Sequence, residues 1–382
     1  MIYLDNCATT KVLSTSIKVL EKFNSELFYN PSSVYTEGVS IKNNLKSARQ
    51  TFSGMLNANA DEIIFTSGAT ESNNLCVQGV ISGNKKSEYI FNAGEHSSVY
   101  NTANFIKQKG YTVHFVGLLA DGQVDLEHLV SLVNQNTVLV SIMHVSNETG
   151  AVNDLKTISE RVKQINNKTY FHADGVQAFT KIKVNVKALG VDMYTASSHK
   201  IHGPKGAGLL YVKKPINLKP IMFGGGQEGG DRVGTENVAG IMAFENSAKK
   251  MLENMTDNYE YVKELKQDML SYIEKNVENI KINSQIDASF SPYILNLSIK
   301  FIKGEILLHM LQKEGILIST GSSCHSNSKR SGNRVLEAMG VDKRYIAGTI
   351  RISFSFDTTK EEVETASRII VENINKLRKM IR

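Results

Sequence analysis

Across its first two thirds the chain alternates short β-rich runs with helical patterns, and that alternation constrains the fold more than any other feature. Candidate strands fall at 62–66, 88–92, 111–116, 137–143, 169–173, 191–195 and 208–212, with helix-like stretches at 71–81 and 154–166 between them. Such a rhythm predicts a mainly parallel, seven-stranded sheet with helices on both faces, an α/β architecture. Ligands of these sheets bind beyond the carboxyl ends of the strands, so residues just after each strand carry the functional interest. From about Asn237 the pattern changes. A long helical region with internal breaks runs to about Asn276, followed by strand-like runs at 294–299 and 350–356 and a terminal helix from Lys360. A second, smaller α+β domain follows from this, and 382 residues exceed what one core usually supports. The expected division is 12–255 for the large domain, with 1–11 and 256–382 forming the small one.

Composition removes several classes. A charged share of 21% and an apolar share of 41% are those of an ordinary globular protein. No apolar run is long enough to cross a bilayer, and the N-terminus shows no secretory signal, so no membrane is expected and the cytoplasm is the expected compartment. The net charge of +6 comes without an aromatic-interleaved basic motif, so direct nucleic-acid binding is not expected. Cys7, Cys76 and Cys324 are too few and too widely spaced for a disulfide framework or a zinc site. Cys76 sits in an apolar helical stretch and reads as core.

Three segments carry candidate chemistry. Thr66-Ser67-Gly68-Ala69-Thr70-Glu71 follows a strand and opens a helix, a place suited to a phosphate and equally to an ordinary helix cap. In Phe171-His172-Ala173-Asp174-Gly175-Val176-Gln177 an acid stands at a strand end, where it can pair with a pyridinium nitrogen or simply form a turn. In Ser197-Ser198-His199-Lys200, the lysine follows an apolar strand. Burial there would keep its amine uncharged for covalent work, against the plain reading of a basic surface loop. The Ser197-x-x-Lys200 spacing also matches penicillin-recognising enzymes, but the Lys-Thr-Gly element they need is missing. Arg351 lies in a run where Arg351, Ser353 and Ser355 alternate with apolar residues. That predicts a half-buried strand whose polar face could grip a carboxylate. Cys324 stands in a polar run of small residues, 320–328, which reads as an exposed loop.

Taken together and in order, these segments resemble a known family. Leu4-Asp5-Asn6, Asn30-Pro31-Ser32-Ser33, Ser67 to Asn74, Glu95-His96, Asn147-Glu148, Asp174-x-x-Gln177, Ser197-x-His199-Lys200, Gly224 to Glu228, Gly234-Thr235-Glu236-Asn237 and Gly321-Ser322-x-Cys324 resemble the NifS/IscS cysteine desulfurases. These belong to the class V aminotransferase group of fold-type I pyridoxal-phosphate enzymes. The resemblance implies pyridoxal 5'-phosphate as cofactor and L-cysteine as substrate. Lys200 would tether the cofactor and later move protons, and His96 would stack on its ring as an acid–base group. Asp174 would pair with the ring nitrogen and Gln177 with the ring hydroxyl, while Ala69, Thr70, Ser197 and His199 would hold the phosphate. Asn30, Asn147 and Arg351 would orient the substrate, with Asn147 also touching the cofactor. Thr235 would reach the phosphate of the other subunit of a homodimer. Cys324 would take the sulfur as a persulfide, leaving alanine, and deliver it to an acceptor protein.

The segment after Cys324 departs from its relatives. It reads Lys329-Arg330-Ser331-Gly332-Asn333-Arg334, basic and without proline. Both an iron–sulfur scaffold and a tRNA-thiolation enzyme therefore stay open as acceptors, the latter motivated by Lys329, Arg330 and Arg334. Alternatives within the cofactor class are a selenocysteine lyase or a class V aminotransferase. An alternative of another kind is a non-catalytic sulfur carrier. Cys7 and Cys76 receive no role.

Overall fold

A computed structural model describes residues 1–320 and 333–381. Twelve strands are found among the described residues: β1 (Ile2–Tyr3), β2 (Ile63–Thr66), β3 (Glu88–Asn92), β4 (Thr112–Val116), β5 (Thr137–Ser141), β6 (Tyr170–Asp174), β7 (Met193–Ser197), β8 (Gly208–Val212), β9 (Ile280–Ile282), β10 (Ile294–Ile299), β11 (Ile316–Leu317) and β12 (Thr349–Ser353). Seven of them form the main sheet in the order β2-β8-β7-β6-β5-β3-β4. Only β8 runs against its neighbours; the remaining pairs are parallel. The expected mainly parallel seven-stranded sheet is present. Strand ends differ from the sequence reading by one or two residues, and β6 and β7 extend far enough to include Asp174 and Ser197.

Side-chain alternation explains why both faces are covered. Phe65, Ile90, Val140 and Phe171 belong to one buried cluster, while their neighbours Ile64, Tyr89, Phe91 and Leu139 belong to another. With successive side chains on opposite faces, an apolar run on every strand demands a helical layer on each side. The helix Leu155–Ile165 supplies part of one layer by burying Leu155, Ile158, Ser159 and Val162, positions that share a face. Its N-terminus is capped by Asp154, whose carboxylate accepts from the Thr157 amide at 3.1 Å. On the other face, Ala69–Gly79 buries Leu75, Cys76 and Val77. Cys76 is fully enclosed with its sulfur 3.2 Å from that of Met193, as its apolar surroundings in the sequence indicated.

The long helical region does break, into Val238–Glu253 and Met255–Asn276. Beyond it, β12-β10-β9 form an antiparallel sheet and β1 pairs in parallel with β11. A separate buried cluster joins Leu4 and Cys7 to Leu265, Met269, Leu297, Ile352 and Ile370. The N-terminal residues therefore pack with the C-terminal part and then cross to the main sheet, where the Thr10 amide donates to the His199 carbonyl at 3.0 Å. One expectation needs correction. The alternation around Arg351 predicts a half-buried strand, but all five residues of β12 are buried. Asp5 and Ser319 pair along its edge, and on its polar face the Ser353 hydroxyl accepts from the Cys7 amide at 2.8 Å while Arg351 reaches Asp5. Among the described residues, no helix is long and apolar enough to cross a membrane.

One buried lysine braces the segment that links the two parts. Lys266 is 1% exposed, donates to the Gln285 carbonyl at 2.7 Å and lies 5.8 Å from the Phe290 ring centre. The segment it holds meets the main body where the Ser291 amide donates to Gly150. Burial pushes the Lys266 amine down to about 7, opposed by Asp287. An unfolded lysine keeps its proton to ~10.4, so between these values the unfolded chain binds one proton more. Stability therefore rises with pH across that window. In thermal melts taken between pH 7 and 9, Lys266→Met is expected to flatten the rise in melting temperature; parallel curves for variant and wild type would contradict this.

Candidate active site

The carboxyl ends of β2, β6 and β7 open into one cavity of about 630 Å³. At its first wall, β2 ends at Thr66 and the chain turns through Ser67 and Gly68 into Ala69–Gly79. Gly68 adopts φ 149°, a value that side-chain-bearing residues rarely take. Its neighbour Gly208 must also lack a side chain, because a Cβ there would stand 2.6 Å from the Gly68 Cα. Glu71 closes the turn by accepting from the Ser67 amide at 2.6 Å and from Arg232 at 3.0 Å. Burial pushes the Glu71 carboxyl up, but these bonds outweigh it and hold it below the ordinary range. Opposite this helix start stand Ser197, His199, Lys200, Lys205 and Gly206. His199 is pushed down to about 4 by burial and by Lys200 and Lys205, so at neutral pH it is an uncharged hydrogen-bonding group. A Cβ on Gly68 would lie 3.9 Å from the Ser197 hydroxyl, so the glycine leaves a small cradle between helix and strand. Hydroxyls, an imidazole, a lysine and a helix N-terminus around that cradle form a donor set for a phosphate.

The floor is set by Asp174. It is buried, with Oδ2 accepting from Asn73 Nδ2 at 2.8 Å and Oδ1 from the Val176 amide at 3.1 Å. The chain can turn directly after it because residue 175 is glycine; a Cβ would fall 2.0 Å from the Tyr194 ring. Three residues on, Gln177 accepts from the Lys181 ammonium at 3.0 Å and donates to the Cys7 carbonyl at 3.3 Å. That pairing fixes which way the amide points. Lys200 follows β7 in a short turn and is half-buried, its amine donating to the carbonyls of Cys7 and, at 2.8 Å, Ala8. His96 lines the same cavity, and burial lowers it below the ordinary histidine range.

Arg351 forms the far wall. Its guanidinium reaches Asp5 at 3.2 Å, Glu148 at 3.4 Å and the Asn147 carbonyl at 3.0 Å. Burial raises both the Asp5 and Glu148 carboxyls, and Arg351 opposes that rise in each. An arginine held by flanking acids at a cavity wall is pre-oriented for a carboxylate.

Of the residues expected from the sequence, Ala69, Thr70, His96, Asn147, Asp174, Gln177, Ser197, His199, Lys200 and Arg351 all line this cavity. Asn30 and Thr235 are exposed and do not line it. Cys324 lies outside the described residues. Arg334, counted among the basic charges after Cys324, is half-buried with its guanidinium 3.5 Å from the Tyr100 ring centre and bonded to the Glu95 carbonyl. Lys329 and Arg330 lie outside the described residues. Asn73 stands in the Ser67 to Asn74 motif without a role drawn from the sequence, and Ser98 and Lys181 are not singled out there; all three bond to cavity residues. Only the helical spacing of Asn73 from Ala69 hinted that the two share a face.

An anion cradle, a buried carboxylate and a lysine amine in one cavity fit the phosphate, ring nitrogen and aldehyde of pyridoxal 5'-phosphate. Comparison with known proteins agrees. Residues 2–365 match the family model described as Aminotransferase class-V. The chain is 35% identical over 379 residues to the cysteine desulfurase IscS of Dictyoglomus turgidum, an alignment covering 99% of this chain and 95% of that one. A solved NifS-like protein superposes with a TM-score of 0.92 at 34% identity, covering 98% of this chain and 99% of the other. A structure described as SspA in complex with cysteine gives a TM-score of 0.83 at 28% identity, over 94% of this chain and all (100%) of the other. The chain belongs to the class-V aminotransferase family, in its pyridoxal-phosphate-dependent cysteine desulfurase branch.

Proposed function

We propose that the chain removes sulfur from L-cysteine, giving L-alanine and a persulfide on Cys324. The observation that carries the reading is the meeting of Lys200, Asp174 and Arg351 around one cavity at the strand ends. When bound, pyridoxal 5'-phosphate supplies an aldehyde for amines and an electron sink for charge developing at the substrate α-carbon. The start of the helix Ala69–Gly79, with Ser197 and His199, binds the phosphate. Asp174 holds a proton at the ring nitrogen, and the Gln177 amide faces the ring hydroxyl. Arg351 takes the substrate carboxylate, with Asn147 beside it. Lys200 would tether the cofactor through its amine and move protons at the substrate α-carbon. The Cys324 thiolate attacks the substrate sulfur, forming a sulfur–sulfur bond as the carbon–sulfur bond breaks. The released electron pair stays on the alanine product, which takes up a proton.

Finer features follow the same reading. Residues 12–255 form the cofactor-binding domain, and 1–11 with 256–382 the small domain that carries Cys324. Thr235 is exposed and not among the residues lining its own chain's cavity, which suits a role at the phosphate of a second subunit in a homodimer. Asn30, also exposed, is assigned to the substrate entrance. The enzyme works in the cytoplasm and passes sulfur to an iron–sulfur scaffold. Arg334 is packed on Tyr100, which leaves Lys329 and Arg330 as the basic charges that favour a tRNA-thiolation partner.

Lys200→Ala is expected to abolish alanine formation from cysteine. Cys324→Ala should stop turnover while the protein keeps its bound, coloured cofactor; full activity in that variant would overturn the assigned sulfur route. Arg351→Lys keeps the charge but loses the planar two-point grip, so KM for cysteine should rise about tenfold or more with cofactor colour retained. An unchanged KM would remove Arg351 from the substrate site.

A further inference from the structure

We infer that Ser98 and Asn73 are positioning residues that hold His96 as a neutral imidazole with its proton on Nε2. His96 then presents its Nε2–H to the cavity at rest. What His96 faces rests on the reading of the cavity given above, whereas the hydrogen-bond chain behind it does not.

The assignment follows from which groups can donate. A backbone amide only donates, and the Ser98 amide lies 3.2 Å from His96 Nδ1. That nitrogen must therefore present a lone pair. The Ser98 hydroxyl is 2.9 Å from the same nitrogen. It accepts from Asn73 Nδ2 at 2.9 Å, which leaves its own hydrogen for Nδ1. The other hydrogen of the Asn73 amide goes to Asp174 Oδ2 at 2.8 Å. Reversing that amide would set an oxygen against the carboxylate, so its orientation is determined as well. The Asp174 carboxylate thus fixes Asn73, Asn73 fixes Ser98, and Ser98 fixes the imidazole.

Charge points the same way. His96 is the N-cap of the helix Ser97–Gln108, whose positive end disfavours a cation there. Burial is the largest influence keeping the ring uncharged, and Lys200, Arg334 and Arg351 add to it. Asp174 alone among the facing groups favours protonation, and it already accepts from Asn73. A proton arriving on Nδ1 would have to break the bond from the Ser98 amide. A neutral imidazole at a helix start can polarise a substrate atom by donation, a role known from other enzymes.

Nitrogen-15 NMR of the histidine-labelled full-length chain tests this, with His96→Gln used to assign the signals. Spectra are recorded with and without pyridoxal 5'-phosphate. His96 is expected to show a protonated Nε2 and a bare Nδ1 at neutral pH, with a titration midpoint below the ordinary ~6.5. Ser98→Ala should raise the combined share of Nδ1-protonated forms about fivefold, and Ser98→Thr should restore the wild-type pattern. A wild-type signal from Nδ1–H or from the cation at neutral pH overturns the inference. So does a Ser98→Ala titration identical to wild type. Because the cofactor-free chain gives the reading, its failure would leave the desulfurase assignment standing. Conversely, failure to form alanine would leave the tautomer assignment untouched.

Discussion

The Lys200 amine donates to the backbone carbonyls of Cys7 and Ala8, and the seam along which the cavity is built starts from that contact. It joins the end of β7 to the N-terminal segment that crosses from the small C-terminal part to the main sheet. Residues 1–10 are assigned no catalytic role, yet their path decides where the amine points. Thr10 extends the same seam by pairing with His199. Asp5 and Arg351 close it on the other side at 3.2 Å. The cavity is thereby bounded by the sheet on one side and by the crossing segment on the other.

Parallel strands place their carboxyl ends on one edge, so residues far apart in sequence converge without long loops. Ser67, His96, Asp174 and Ser197 all follow or end such strands, and each meets the same cavity. Glycines set the spacing. Gly208 lets β8 press against the phosphate-side turn, and Gly175 lets the chain leave Asp174 beneath the Tyr194 ring. Electrostatics then divides the labour. Burial makes His199 and His96 uncharged donors, whereas the acids beside Arg351 keep a cation ready for a carboxylate.

Much of this could be read from the chain. The alternation of strand and helix gave the sheet, and strand ends gave Asp174, Ser197 and Lys200. Arg351 was also found, but the degree of its burial was not. A period-two pattern reports which residues share a face and says nothing of what covers that face, here residues 4–7. Arg334 looked like a surface charge because composition cannot reveal a ring such as Tyr100 waiting over it. The roles of Asn73, Ser98 and Lys181 were not legible for a related reason. Their importance lies in bonds to Asp174, His96 and Gln177, and such partners become neighbours only after folding.

The central claim is that the Lys200 amine carries the cofactor covalently. Borohydride reduction of the holoprotein, followed by proteolysis and mass mapping, measures this directly. The account predicts a single pyridoxyl group fixed to the peptide containing Lys200. A group fixed to another side chain, or none fixed at all, would contradict it.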